Sequence, residues 1–235
     1  TNGTGGPCRG RMDLYPSIQA HTFSMTGTAA LPMKTQFLGT VSYGWRLQDD
    51  RFLPFTINPT IAQPRISASS LDGDVRPLMV NTTFVNRYFD KLDLKAYYRL
   101  YDYDNRSKRV SLPDGYVRLD SNAPVDPGLV TFPYAYSRQN TGMDAGYTFS
   151  KWLTGKFSYG WERMHRERRE VLNSDEFNVG PTIDIKPSPW ALFRASYRHY
   201  WRNAPEYDAG RQVVIETAET PEDIREARLE ALIIF

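Results

Sequence analysis

The chain has almost no cysteine: one residue, Cys8, among 235. A lone cysteine cannot close an internal disulfide or supply the C-x-x-C-H signature of covalent haem attachment. Histidine is scarce as well. His21, His165 and His199 lie far apart, with no metal-ligand spacing, so His199 reads as an interfacial ring on an apolar strand face. Long apolar runs are missing. No stretch approaches the ~18 residues of a membrane helix, which excludes helical spanning but not a β-barrel, whose strands are apolar on one face only. The net charge is only +2, so nothing argues for nucleic acid as a partner. No Gly-rich phosphate loop, Ser/His/Asp arrangement or paired-carboxylate spacing is visible, so no enzyme is expected. No signal peptide opens the chain. Its loop-like start and abrupt end read as those of a segment.

What the chain does have is aromatic residues and a period of two. From His21 to Asp49, Phe23, Met25, Gly27, Ala29 and Leu31, then Phe37, Gly39, Val41, Tyr43, Trp45 and Leu47, alternate with mostly polar residues. Such alternation makes a strand with one apolar and one wet face. The brief break at Pro32-Met33-Lys34 makes the two runs a hairpin.

The unit recurs. After a loop over residues 1–19, strands are expected at about His21–Leu31, Thr35–Asp49, Asp74–Asn86, Leu92–Asn105 and Tyr136–Phe149. A sixth strand follows the Ser150–Lys151 turn and runs into the charged tract Glu162–Glu170. A seventh covers Glu176–Ile185 and an eighth Ala191–Arg202. Residues 20–203 thus read as antiparallel strands in one β-barrel segment covering 1–235, and 204–235 as a loop with a short helix. That helix is placed from Pro221 to about Leu232, because Thr220-Pro221-Glu222-Asp223 resembles an N-cap with proline in the first turn. Leu229, Ala231, Ile233 and Phe235 also alternate, as a closing barrel strand would, but the helix is the preferred reading.

Tight turns near residues 33, 90, 151 and 188 alternate with longer connections, the layout of an outer-membrane barrel. Trp45, Tyr98, Trp161 and Trp201 sit near the long-connection ends. Phe37, Phe89, Trp152 and Trp190 sit near the short turns. Two aromatic bands match two membrane interfaces. A soluble β-sandwich is the alternative, but its aromatics would face inward and its strands would be shorter. The expected fold is all-β: a transmembrane antiparallel up-and-down sheet of about eight strands, open and curved, part of a large barrel. Strands one and eight are its expected edges, because an eight-stranded barrel would be filled by its own side chains. The lumen set is Arg46, Gln48, Asp93, Lys95, Arg99, Lys156, Glu162, Arg194, Arg198 and Arg202, polar and net basic.

Two local features have competing readings. Asp102, Asp104 and Asn105 suggest calcium, but Arg106 and Ser107 stand where an EF-type loop needs an acid or amide and then glycine, so a hydrogen-bond cluster is preferred. The tract from Glu162 to Glu170 is either a binding surface for lipid phosphates or an extracellular partner, or a strand prolonged above the membrane with solvated charges.

Several short motifs carry a resemblance. Ser69-Ser70-Leu71-Asp72-Gly73, Tyr98-Arg99-Leu100-Tyr101-Asp102-Tyr103-Asp104-Asn105-Arg106, Pro133-Tyr134-Ala135-Tyr136, and Gly160-Trp161-Glu162 with Arg168 and Glu170 resemble the MtrB/PioB family over roughly Met12–Asn203. The resemblance implies an outer-membrane barrel that sheathes a periplasmic decahaem c-type cytochrome and serves extracellular electron transfer. An extracellular multihaem cytochrome is a second candidate partner, outer-membrane lipid surrounds the wall, and haem c belongs to the partner, with no cofactor in this chain. A general diffusion porin is the alternative function. Two departures stand out: some family members carry a cysteine pair near the mature N-terminus, and eight strands are few for a family barrel. Both fit a segment.

Overall fold

The computed structural model describes residues 14–54, 65–112, 129–167, 172–203 and 223–233. Eleven strands appear in chain order: β1 (Gln19–Leu31), β2 (Thr35–Gln48), β3 (Gly73–Asn86), β4 (Leu92–Asn105), β5 (Ser111–Leu112), β6 (Leu129–Val130), β7 (Tyr136–Ser150), β8 (Leu153–Arg166), β9 (Asn173–Ser188), β10 (Ala191–Asn203) and β11 (Asp223–Ile233). Nine form one antiparallel up-and-down sheet in the order β1-β2-β3-β4-β7-β8-β9-β10-β11, and β5 pairs with β6 alone. No helix in the described residues is long and apolar enough to cross a membrane.

The long strands β2, β4, β7, β8 and β10 were legible because alternation runs through each of them. The end of the chain was not. Residues 223–233 are a strand, not a helix, paired with β10 from Trp201↔Asp223 to Ala191↔Ile233. The sheet therefore has nine strands rather than eight, and β10 is not an edge. The helix expectation rested on a local start signal whose Pro221 and Glu222 lie outside the described residues. The strand is decided by the hydrogen-bonding edge of β10, a non-local partner that fixes the backbone against local propensity. Its alternation then falls into place. Leu229 and Ala231 pair with Ala195 and Phe193, while Glu226 and Glu230 pair with Arg198 and Arg194.

Hairpin turns close one side of the sheet. Met33 and Lys34 both have positive φ, 57° and 48°, the backbone of a type I′ turn whose twist matches the flanking strands. Neither residue is Gly or Asn, so the neighbouring strand holds the turn in place. Asn86 Nδ2 donates to Met33 O at 2.9 Å and to Thr35 Oγ1 at 2.7 Å.

By contacts the chain divides into two compact units. One comprises Thr1–His21, Trp45–Arg76 and Asn105–Pro133. In it Arg51 bridges Ser70, Asp74 O accepts from Arg106 N at 2.8 Å, and Val110 is fully buried beside the β5–β6 pair. Asn105 Oδ1 accepts from Ser107 N at 3.1 Å and Ser107 Oγ from Asp74 N at 3.1 Å, so Asn105 is a turn residue of this unit. The other unit comprises Thr22–Gly44, Pro77–Asp104 and Tyr134–Phe235, and holds most of the sheet.

That sheet has no apolar core between layers. Among the described residues only Val110, Ala135 and Ala191 are buried hydrophobics. The apolar face stays open: Phe157 is 45% exposed, Ile183 48% and Phe193 50%. A β-sandwich would cover such a face with a second sheet.

Candidate functional site: the two faces of the sheet

Register assigns each side chain to a face, because residues opposite each other across a ladder point the same way. Leu94↔Ala145↔Phe157 and Tyr98↔Thr141↔Trp161↔Phe177↔Trp201 run across the apolar face. Lys95↔Asp144↔Ser158 and Arg99↔Asn140↔Glu162↔Glu176↔Arg202 run across the other. Lys156, Arg194 and Arg198 belong to that second, charged face as well. Gln48, on the even-numbered face of β2 with Arg46, lies against Gly73.

On the apolar face, at the long-connection end, three rings stack across β8, β9 and β10. Trp161 and Phe177 centroids are 6.5 Å apart, Phe177 and Trp201 5.5 Å, with interplanar angles of 29° and 11°. His199 meets Trp201 edge-on at 5.3 Å. Phe177, in the middle of this row, was absent from the bands read in the sequence. Tyr98 continues the row on β4 by register. Trp45 is exposed on the odd-numbered face of β2. Trp152 and Trp190 stand at the short turns, both more than half exposed.

The charged face is an ion-pair lattice. Asp184, 5% exposed, is its most enclosed member. Lys156 Nζ donates to its Oδ2 at 2.8 Å, while Arg194 Nε donates to Oδ1 at 2.6 Å and Nη2 to Oδ2 at 3.1 Å. One carboxylate on β9 thus ties the strands on either side. Arg138 Nη2 donates to Glu162 Oε2 at 2.7 Å, and Asn140 Nδ2 to the same oxygen at 3.2 Å. Arg202 pairs with Glu176 at 3.2 Å, Arg87 with Asp93 at 3.1 Å, and Lys95 with Asp144 at 4.0 Å. Arg198 Nη1 donates to Tyr200 Oη at 3.3 Å. By register Lys95, Arg99, Lys156, Arg194, Arg198 and Arg202 share this face, and Asp144, Glu176, Asp184, Glu226 and Glu230 stand among them. Strand parity alone could have found Asp184, which lies between the apolar-face residues Ile183 and Ile185.

The charged tract is divided by the same parity. Arg163 and His165 turn to the apolar side, where Arg163 Nε donates to Asp175 Oδ1 at 2.9 Å, Trp161 Nε1 donates to the same oxygen at 3.0 Å, and His165 Nδ1 lies 2.8 Å from Asn173 Oδ1. Glu162 and Arg166 turn to the charged side, Arg166 reaching Ser174 Oγ at 3.1 Å. Through Arg166 the tract continues β8, with Glu162 and Arg163 paired with Arg138 and Asp175. Arg168 to Glu170 lie outside the described residues, as do Cys8 and the loop start. His21 sits on β1.

Among curated proteins none matches this chain. Solved structures of OmpT from Vibrio cholerae are similar to it. The in-vitro folded form has 10% sequence identity and a TM-score of 0.46, over 94% of this chain and 62% of OmpT. The outer-membrane expressed form has 12% identity and a TM-score of 0.41, over 78% and 51%. The chain thus spans less than two thirds of the length of these barrels. The family described as "Putative outer membrane beta-barrel porin, MtrB/PioB" matches residues 1–229, nearly the whole chain. A sheet with one bare apolar face, a ring row at its rim and charges on the reverse agrees with that match, and the chain belongs to the MtrB/PioB family of outer-membrane β-barrels.

Proposed function

We propose that this chain forms part of a non-catalytic wall around a periplasmic decahaem c-type cytochrome, which carries electrons across the outer membrane. The observation that carries the reading is the pairing of a bare apolar face with a set of strand-to-strand ion pairs on its reverse. The apolar face suits lipid and the aromatic row its interface. The lattice suits a wetted lumen or a protein surface, where strand-to-strand ion pairs keep long charged side chains fixed. Short turns then belong on the periplasmic rim and long connections on the extracellular rim. The haem irons and all redox chemistry belong to the partner, since Cys8 alone cannot attach haem c. The family's association with decahaem cytochromes supports this choice of occupant, and an extracellular multihaem cytochrome is a further partner at the outer mouth.

The test is purification of the full-length barrel from its native membrane. A haem protein should co-elute in fixed stoichiometry, while the barrel polypeptide itself shows no covalent haem. A barrel that purifies without haem protein and conducts small solutes would instead be a diffusion porin, the reading its family description favours.

A further inference from the structure

The charged face is not uniform: on β10 Arg198 donates to the Tyr200 hydroxyl, and on β4 Arg99 rests on a ring. Across β8, β9 and β10 each of the cations Lys156, Arg194 and Arg202 meets a carboxylate. Arg99 does not. Among the described residues it has no carboxylate partner; its guanidinium lies over the Tyr97 ring, 5.1 Å from the centroid. Tyr97 lies flat in turn. Its ring lies across Gly142 on β7, where an added Cβ would come within 2.4 Å of Tyr97 Cζ and Oη, so only glycine admits it. Further along the same face Tyr101 and Tyr103 flank Tyr136, with centroids at 5.9 and 5.3 Å.

Tyrosine and arginine are the residues enriched where protein interfaces concentrate their binding energy. The guanidinium already lies against the ring and the ring against the wall, so less side-chain freedom is lost on docking. An exposed guanidinium stacked on a ring keeps its N–H donors available for a carboxylate.

We propose that Arg99, with Tyr97, Tyr101 and Tyr136, is the docking strip for the enclosed protein, and that the strip takes an acidic patch on that protein. The ion pairs on β8–β10 tie strand to strand and act as wall. This rests on the sheath reading above, and it names where on the wall the occupant is gripped.

The experiment uses the full-length barrel, affinity-tagged, expressed with its native haem proteins, and reads haem absorbance co-eluting per barrel. Assembly of each variant is checked by heat-modifiable migration. Arg99→Glu should lower bound haem roughly tenfold or more, through repulsion of an acidic patch. Gly142→Val should lower it as well, by lifting Tyr97 off the wall. Lys156→Gln, in the lattice, should leave it within about twofold. If Arg99→Glu does not assemble, Arg99→Gln replaces it and should show the same direction of loss. Undiminished haem with either assembled Arg99 variant overturns the strip while leaving the sheath intact. So does an equal loss with Lys156→Gln, which would spread the grip over the whole face. A wild-type barrel that retains no haem protein overturns the sheath and the strip together.

Discussion

Strands β8–β10 and the Arg99 end of strand β4 show the same face of one sheet, yet they handle charge in opposite ways. On β8–β10 Lys156, Arg194 and Arg202 are tied to carboxylates on adjacent strands, with Asp184 shared by Lys156 and Arg194. On β4 the equivalent cation, Arg99, rests on a ring. The first arrangement satisfies itself and stiffens the wall. The second leaves donors exposed for something else. A charged face is thus not one property: its stability resides in one set of strands and its recognition in another.

Four measurements would break or sharpen this contrast. The largest effect should come from the reverse side of the same strand. Phe157→Arg puts a charge midway between Trp152 and Trp161 on the apolar face, and should cost ~2–4 kcal/mol near the bilayer midplane. Urea titration of the barrel folded into liposomes measures it, and a neutral result would mean that this face does not meet lipid. Next comes Asp184→Ala, which strips two cations of their shared carboxylate. Charge-assisted hydrogen bonds contribute about 1.5–3 kcal/mol each when enclosed, but Lys156 and Arg194 are 47% and 36% exposed and recover hydration. A loss of about 2 kcal/mol is expected in the same assay. A value near zero would reduce the lattice to ornament.

A smaller effect is expected at Arg138–Glu162, where the side chains are 54% and 20% exposed. A double-mutant cycle with alanine should give a coupling of about 0.5–1 kcal/mol, weakened by added salt. The smallest belongs to β4. Arg99→Ala removes one exposed cation–π contact and should cost the isolated barrel about 0.5 kcal/mol or less. A destabilisation as large as that of Asp184→Ala would erase the difference between the two regions.

The strongest sequence signal was alternation, and it found β2, β4, β7, β8 and β10 within a few residues. Alternation is legible because one wetted and one unwetted face impose the same period on every strand, whatever its neighbours. It also placed Lys95, Arg99, Lys156, Arg194 and Arg198 on the face opposite Phe157 and Phe193. It said little about Asp144, Asp184 or Glu176 as partners, since a partner is chosen by inter-strand register. The register across β7, β8 and β9 is a property of the assembled ladder.

The period of two, the aromatic rims and the lack of any long apolar run were therefore written in the chain itself. They fixed an all-β wall with two unlike faces, because they depend only on which side of a strand each residue falls. The fate of residues 223–233 was not, since a helix start and an alternating run competed locally and β10 decided between them by offering its edge. Nor was the stacking of Arg99 on Tyr97, which depends on Gly142, 45 positions along the chain from Tyr97 and opposite it only once β4 and β7 pair.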